Sequence, residues 1–244
     1  MGMTFISMTS DPFGYFFNPA VLGKACTIDA GVYHTNLFGL KELSSTTGAI
    51  SLPILIGSMG FGGQSFGNPL YYETTFHCGW GLNVFPSFYI GFLGNIGQLK
   101  IMGYGSVTTF WTNTGLIYTF SENIVFGFSV ININQARIGQ TKIPLPQTTH
   151  IEIGYQPKKY VLCNFALNKD VRYPLEVRIG LEVCPLPFFM LRCGFTDAPQ
   201  RITFGMGIQF SRLQIDYAIV DHPILNLTHH VSLIVIIKPK QPSI

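Results

Sequence analysis

Alternation of apolar and polar residues with a period of two is the dominant pattern of this chain. It is most regular from Arg201 to Phe210. One set of alternate positions is apolar throughout, namely Ile202, Phe204, Met206, Ile208 and Phe210; the other set is Arg201, Thr203, Gly205, Gly207 and Gln209. Successive side chains of a strand point to opposite faces, and roughly ten residues suffice for a tilted strand to cross a bilayer. The segment is therefore predicted to be a strand with one apolar face and one polar face.

The same alternation recurs along the second half of the chain, in segments 150–155, 175–183, 189–195 and 213–219. Turn signals separate these and the less regular segments of the first half. We predict strands near 26–37, 44–52, 54–65, 70–83, 86–101, 105–120, 123–134, 147–156, 159–168, 174–184, 187–196, 200–210, 212–220 and 227–238. The predicted count of about 14 is even, and an even number of strands is typical of single-chain bacterial barrels. The pattern predicts an all-β, antiparallel transmembrane β-barrel, with a soluble sandwich as the alternative.

Composition favours the barrel over the sandwich. Hydrophobic residues make up 47% of the chain and mean hydropathy is +0.32, whereas charged residues make up 11%, against about 25% in an average protein. No apolar run approaches the roughly 18 residues of a membrane helix. Aromatic residues make up 14%, and those near predicted strand ends are expected to form girdles at the two membrane interfaces: Tyr71, Tyr72, Phe85, Phe88, Tyr155, Tyr160, Tyr173 and Phe188. The net charge of +3 and the lack of a basic cluster argue against nucleic-acid binding.

The first residues differ from the rest of the chain. Residues 1–25 are rich in turn signals, such as Asp11-Pro12 and Asn18-Pro19, and lack sustained alternation. We predict a short irregular or helical hatch at 1–25, a barrel at 26–238 and a tail at 239–244. The first ten residues lack the basic region with which a secretory signal peptide begins. Because a barrel of this kind is exported, we expect a leader that was removed or that lies outside this sequence.

Glycine and cysteine bear on the architecture rather than on chemistry. The run Gly60-Phe61-Gly62-Gly63 is expected to mark a bulge or a kinked strand. The five cysteines show no C-x-x-C spacing. Cys184 and Cys193 flank a predicted hairpin, so a disulfide between them is conceivable, although free thiols are the favoured interpretation.

The alternation assigns side chains to the two faces of the wall. Residues expected to face lipid are Val177, Ile179, Leu181, Phe204, Met206, Ile208, Ile215 and Tyr217. Polar residues expected to face the lumen are Glu152, Glu176, Arg178, Glu182, Arg192, Arg201, Gln209, Gln214, Asp216 and His230. Isolated buried charges are costly, so we predict an ion-pair network that joins Glu176, Arg178 and Glu182 to Arg192 and Arg201. The alternative is a polar path for a solute or a docking site for the hatch.

Catalytic signatures are missing from the sequence. It contains no G-x-S-x-G, no H-E-x-x-H and no phosphate-binding loop. His229 and His230 are adjacent, so in a strand they point to opposite faces and cannot easily bind one metal ion. We therefore predict no enzymatic activity, no cofactor and no metal site.

Three segments resemble a known family. The segment Asp11–Ala20, with Asn18-Pro19-Ala20 at its end, resembles the amino-terminal segment of the FadL-like outer-membrane proteins, and most of all their PorV/PorQ branch. The segments Tyr173–Glu182 and Leu213–Leu233 resemble the corresponding strands and last hairpin of that branch. The resemblance implies a 14-stranded barrel with an amino-terminal hatch inside, whose motif residues here are Asp11, Pro12, Asn18, Pro19 and Ala20.

The resemblance leaves three functions open. A PorV/PorQ-type protein would lie in the outer membrane of a Gram-negative bacterium, in contact with its lipid. It would bind a protein partner in type IX-like secretion or surface display, either a secreted cargo or a component of the secretion or surface assembly. A FadL-like protein would instead be a channel for a hydrophobic small molecule. The third possibility is a structural barrel within a surface assembly.

Overall fold

The computed structural model describes residues 11–139 and 142–237. Their fold is a closed antiparallel barrel of 14 strands with a small two-stranded hairpin in one loop, which confirms the predicted fold class. In chain order the strands are β1 Ile28–Asn36, β2 Ser44–Pro53, β3 Ser58–Asn68, β4 Tyr71–Phe85, β5 Phe88–Ile101, β6 Gly105–Ser121, β7 Ile124–Ile131, β8 Arg137–Ile138, β9 Ile143–Pro144, β10 Thr148–Lys158, β11 Val161–Asp170, β12 Glu176–Leu186, β13 Phe189–Asp197, β14 Gln200–Phe210, β15 Leu213–Asp221 and β16 Thr228–Ile237. The predicted tail at 239–244 and residues 1–10 of the predicted hatch lie outside the described residues.

The wall closes through its first and last strands. β1 pairs with β16 from Ile28 opposite Ile237 to Asn36 opposite His229, and it pairs with β2 on its other side. Each of the 14 strands thus has a bonded neighbour on both sides. A closed ladder satisfies the backbone polar groups at membrane depth, where water is not available to do so.

The helices of the described residues are short 3₁₀ turns at Gly14–Phe16, Pro19–Lys24, Leu37–Gly39 and Lys41–Leu43. None of the helices in this part of the chain is long and apolar enough to cross a membrane.

The two ends of the barrel have different connections. At one end, β1 begins and β16 ends, and the connections 86–87, 122–123, 159–160, 187–188 and 211–212 are two residues long. We call this the short-turn end. The other end carries the connections 37–43, 132–147 and 222–227, and we call it the long-loop end. The β8–β9 hairpin lies in the second of these loops, a short element that the alternation did not predict.

Side chains alternate between the outer and inner faces of the wall. On β14 the apolar set is exposed, with Phe204 at 63%, whereas Thr203 beside it is 4% exposed. Met206, Ile208, Ile179 and Ile215 are exposed on the same outer face, and Val177, Leu181 and Tyr217 are partly exposed there. Cys184 and Cys193 lie on opposite faces of neighbouring strands, and all five cysteines are free. The disulfide between these two residues is therefore not formed.

The glycine-rich run of β3 is regular in its pairing. Gly60, Gly62 and Gly63 lie in continuous register with both β2 and β4. The predicted bulge at this run is therefore wrong, whereas the kinked strand stays a prediction. The register shifts of the wall occur instead beside two-residue turns, as between Asn83 and Phe85 and between Val183 and Leu186. The glycines of β3 have a different role, which is set by what lies against them.

Candidate functional site

The segment 11–24 packs against the inner face of the wall. Tyr15 and Ala20 are completely buried, and Leu22 is buried as well. The Asn18 side chain accepts a hydrogen bond from the Ala20 N–H at 3.0 Å, and Pro19 follows at the first helical position. An asparagine cap followed by proline is a favourable start for a helical turn. The motif Asn18-Pro19-Ala20 thus fixes the local bend that directs this segment along the wall.

Inward-facing glycines form the surface on which the segment lies. We call this surface the glycine seat; its members are Gly31, Gly60, Gly62, Gly79, Gly81, Gly91 and Gly115, on β1 and β3 to β6. A Cβ at Gly62 would lie 2.7 Å from the Phe16 ring, and one at Gly31 would lie 2.9 Å from the Phe13 ring. At Gly91 and Gly115 a Cβ would overlap Pro19 and Asn18 respectively. At Gly91 and Gly115 the overlap is severe, so these two positions require glycine while the segment lies in place. At the other seat positions a side chain would press on atoms of the segment or the wall.

Polar contacts fix the segment to β6 and β7. The Asn18 Nδ2 group donates to the Leu116 carbonyl at 3.3 Å and to the Phe128 carbonyl at 3.4 Å. The Ser129 hydroxyl donates to the Phe17 carbonyl at 2.8 Å. Beyond these contacts lies a cavity of about 20 Å³, lined by Phe17, Asn18, Gly127, Ser129, His150, Glu152, Ala166 and Arg178. A space of this size accommodates about one water molecule.

Burial shifts the pKa values of three groups in the segment. Burial raises the pKa of the Asp11 carboxyl to about 6, although the Phe13 N–H that it accepts at 2.8 Å acts in the opposite direction. Asp216 and Asp29 raise the pKa of Asp11 further, and Arg192 lowers it. Burial also raises the pKa of the Tyr15 hydroxyl and lowers the pKa of Lys24.

Arg192 is the centre of the principal charge cluster on the inner face. Its Nε donates to Glu182 at 2.6 Å and its Nη1 donates to Asp216 at 2.5 Å. Asp216 also accepts from Gln214 at 2.8 Å and from Ser232 at 3.2 Å. The cluster therefore joins side chains of four strands, β12, β13, β15 and β16. Among the five strands from β12 to β16, only β14 contributes no polar side chain to it.

Gly207 of β14 allows the cluster to form. It lies opposite Asp216 in the ladder, between the strands of Arg192 and Asp216. A Cβ at Gly207 would overlap the Asp216 carboxylate and lie 3.2 Å from the Arg192 Nη1. The bare backbone of β14 at this point lets the guanidinium reach across it.

A second charge pair lies nearer the long-loop end. Arg178 donates to Glu176 at 2.7 Å, and Asn168 donates to the same Glu176 oxygen at 2.8 Å. Arg201 is not a member of an ion pair among residues 11–139 and 142–237, in contrast to the predicted network. The register gives the reason: Arg178 and Arg201 both lie opposite Thr196, so Arg201 shares a row with another arginine rather than with an acid.

The remaining predicted inner residues lie in separate places. Glu152 lines the small cavity, and Gln209 lies opposite Gln214 near the short-turn end. His230 contacts the Tyr33 hydroxyl and lies 3.1 Å from the Thr35 hydroxyl, while its neighbour His229 is 2.8 Å from the Tyr217 hydroxyl on the opposite face. The described part of the chain holds no group of three or more potential metal ligands.

The functional feature that sequence reasoning missed is the glycine seat. Its signal is present in the sequence, because the first half of the barrel has glycines at inward positions, whereas the second half has charged residues there. The sequence alone does not tell which face of these strands points inward, or that the segment 11–24 lies against that face.

No protein-family model matches this sequence, and no curated protein matches it at a significant level. Solved structures do match its fold. The Pseudomonas putida toluene transporter TodX has a TM-score of 0.66 at 11% identity, with 97% of this chain and 95% of that chain covered. The Ralstonia pickettii toluene transporter TbuX has a TM-score of 0.65 at 12% identity, with the same coverage.

A third similar structure is that of a Pseudomonas aeruginosa FadL homologue, with a TM-score of 0.67 at 10% identity, covering 97% of this chain and 96% of that one. These likenesses extend over nearly the whole chain and concern the fold. They do not distinguish the PorV/PorQ branch. The chain therefore has the fold of the FadL-like barrels.

Proposed function

We propose that this protein is an outer-membrane channel for a small hydrophobic molecule, and not an enzyme. The observation that carries the proposal is the fold: two structures that match 97% of this chain are toluene transporters. The apolar outer face of a closed wall supports a location in the membrane, because closed barrels are one of the two structures that can span lipid. A monoaromatic hydrocarbon is the substrate class we expect.

In this proposal the segment 11–24 acts as the hatch. It is independent of the ladder of the wall, and its contacts with the seat are van der Waals contacts together with a few hydrogen bonds. Such a segment can shift without breaking the barrel. The apolar cluster of Phe13, Tyr15, Leu22, Leu93 and Ile234 joins the segment to the wall, so an apolar solute that displaces it meets apolar surface.

The inner wall is divided into two chemical halves, which bears on the route. The glycine seat covers the inner face of β1 and β3 to β6, whereas Glu176, Arg178, Glu182, Arg192 and Asp216 lie on β12, β13 and β15. The charged residues of the second half form ion pairs, and their surface would bind water rather than hydrocarbon. We therefore expect a hydrophobic solute to pass along the seat half of the lumen.

The partner-binding alternative has less support. The resemblance to PorV/PorQ proteins suggested a protein partner in type IX-like secretion or surface display. The similar structures named above are transporters or a FadL homologue, and they favour the channel alternative over a secretion role. The third alternative, a structural barrel, is favoured by no observation.

The proposal is tested by uptake into cells. The protein is expressed in a bacterial host without a hydrocarbon channel of its own, and the initial uptake of radiolabelled toluene is measured below saturation. We expect uptake to rise several-fold over cells with an empty vector. Folding is checked separately by the shift in electrophoretic mobility between heated and unheated samples. Equal uptake with and without correctly folded protein would exclude toluene transport.

A further inference from the structure

At the long-loop end, strand β6 extends beyond its neighbour β7. β6 pairs with β5 from Gly105 to Tyr118, but it pairs with β7 only from Thr114 to Ser121. The portion 105–113 therefore stands beyond the paired end of β7, over roughly 30 Å at the rise of an extended strand. One side of this portion is bonded to β5, and the other side faces the first residues after β7, from Asn132 to β8.

Ile133 and Asn134, at the start of this loop, cover the lower part of the edge. Asn134 accepts from the Thr112 N–H at 3.0 Å and donates to the Phe110 carbonyl at 3.2 Å. The Ile133 N–H donates to the Thr112 carbonyl at 2.9 Å. The side-chain amide of Asn134 thus makes the bonds that a peptide group of a neighbouring strand would make. This shows that the edge accepts an amide in strand geometry.

Above Asn134 the edge has no backbone partner within the described parts of the chain. Peptide groups of an antiparallel strand point alternately to its two sides, so Ser106 and Thr108 direct theirs to the same side as Phe110 and Thr112. Both residues are exposed. Among residues 11–139 and 142–237, no backbone partner lies on that side of them. An exposed row of unpaired donors and acceptors is a template for an additional strand.

We propose that the edge of β6 from Ser106 to Phe110 binds an extended, acidic peptide segment of a partner protein by strand addition. A second extended backbone presents donors and acceptors at the spacing of this edge over its whole length. The proposal does not depend on the channel function, because the edge lies at the rim and not in the lumen.

Flanking side chains define the chemistry of the peptide. Lys100 lies directly opposite Ser106 on β5, and Arg137 lies in β8, which contacts β6. Both are exposed, so acidic residues at the peptide ends would complement them. Val107 and Thr109 lie on the inner face of the edge, and Thr108 and Phe110 lie on the outer face. Alternating valine and threonine in the peptide would match these neighbours.

The probe is the fluorescein-labelled peptide Asp-Thr-Val-Thr-Val-Thr-Asp, with blocked ends, added to the full-length protein folded in detergent. Binding is measured by anisotropy, and amide hydrogen exchange of the edge is followed by mass spectrometry. We expect saturable binding that weakens with added salt, together with at least tenfold slower exchange in the peptic fragment containing Ser106 and Thr108. A lack of binding, or exchange in the free protein already as slow as at Thr112, would overturn the proposal.

Variants separate the edge from general effects on folding. Thr108→Pro removes one donor of the open side without removing a bond to β5, and proline is tolerated on strand edges. We expect at least tenfold weaker binding for Thr108→Pro and unchanged binding for the matched variant Thr108→Ala, which keeps the backbone donor. Equal affinity of the two variants contradicts strand addition. Heat-dependent electrophoretic mobility, compared between the two, verifies that both barrels are closed.

Discussion

The side-chain oxygen of Asn18 lies 2.1 Å from the position that a Cβ of Gly115 would take, which is too close for both atoms. The same asparagine caps the turn at Ala20 and donates to two carbonyls of the wall. A glycine on β6 and an asparagine almost a hundred residues before it are thus one structural unit. The position of the segment 11–24 depends on the absence of a side chain at Gly115 as much as on the presence of the Asn18 side chain.

Gly115→Ala is therefore expected to displace the segment 11–24 from the wall. The new methyl group excludes the Asn18 amide, and the loss of its hydrogen bonds should destabilise the folded protein by about 1–3 kcal/mol. The temperature at which heated samples lose the mobility of the folded form measures this loss. The matched variant is Gly48→Ala on β2, where a Cβ meets nothing within 4 Å. Equal unfolding temperatures for the two variants would contradict the role of the seat.

Arg192→Gln should be the most damaging charge substitution in the barrel. It leaves Glu182 and Asp216 without their cation, and removing one partner of a buried ion pair typically costs about 3–5 kcal/mol. Arg201→Gln is the matched control, because Arg201 is also partly buried but lies in a row with Arg178. A lower unfolding temperature for the Arg201 variant than for the Arg192 variant would refute the assignment of the cluster.

Gly207→Ala tests the same cluster without changing a charge. The added methyl group takes the place of the Asp216 carboxylate, so Arg192 loses its contact with Asp216. We expect a loss of about 1–3 kcal/mol, by the same comparison of unfolding temperatures. Because both changes act on one contact, Gly207→Ala should add little to the effect of Asp216→Asn. Full additivity in the double variant would show that the glycine acts elsewhere.

The packing of the segment 11–24 against the wall is expected to weaken as the pH rises through about 6. Burial raises the pKa of Asp11 from an ordinary value of 3.8 to about 6, so the docked segment binds the proton more tightly than the free segment does. The contribution is fully present below the lower of these values and is lost as the pH rises through the higher one. Unfolding temperatures measured at pH 5 and pH 8 should fall more for the wild type than for Asp11→Asn, which resembles the protonated carboxyl.

The contrary outcome of this pH experiment is a fall of equal size in both proteins. It would place the pH dependence in other groups. The charged residues facing Asp11 are Asp216, Arg192 and Asp29, and Asp29→Asn, which removes a further carboxylate, provides a second comparison at the same two pH values.

Alternation alone predicted the wall with good accuracy, since each strand has one face in contact with apolar surroundings. In β14 the choice of face follows directly from the sequence, because every residue of one set is apolar. In β3 the rule fails, because Gly60 and Gly62 face inward where polar residues were expected. Because glycine has no side chain, it counts as neither an apolar nor a polar position, and the alternation does not predict which face it lies on.

The charge cluster was predictable only in part. The inward direction of Glu182 and Arg192 follows from alternation, and their strands are consecutive. The bond between Arg192 and Asp216 depends on the register of three strands and on Gly207 in the middle one. The pattern within a single strand does not give that register. Arg201 was placed in the network for the same reason: its face could be inferred, but its height along the barrel could not.

The pairing of β1 with β16 also constrains how the barrel can form. Ile28 meets Ile237, so the wall stays open at two edges until the last strand has been synthesised. Contacts between residues so far apart in the chain are slow to form. Until then the growing sheet presents unpaired edges to any other chain. These unpaired edges therefore need protection from other chains until the barrel closes. Removal of β16 is expected to abolish assembly of the whole wall rather than to shorten it by one strand.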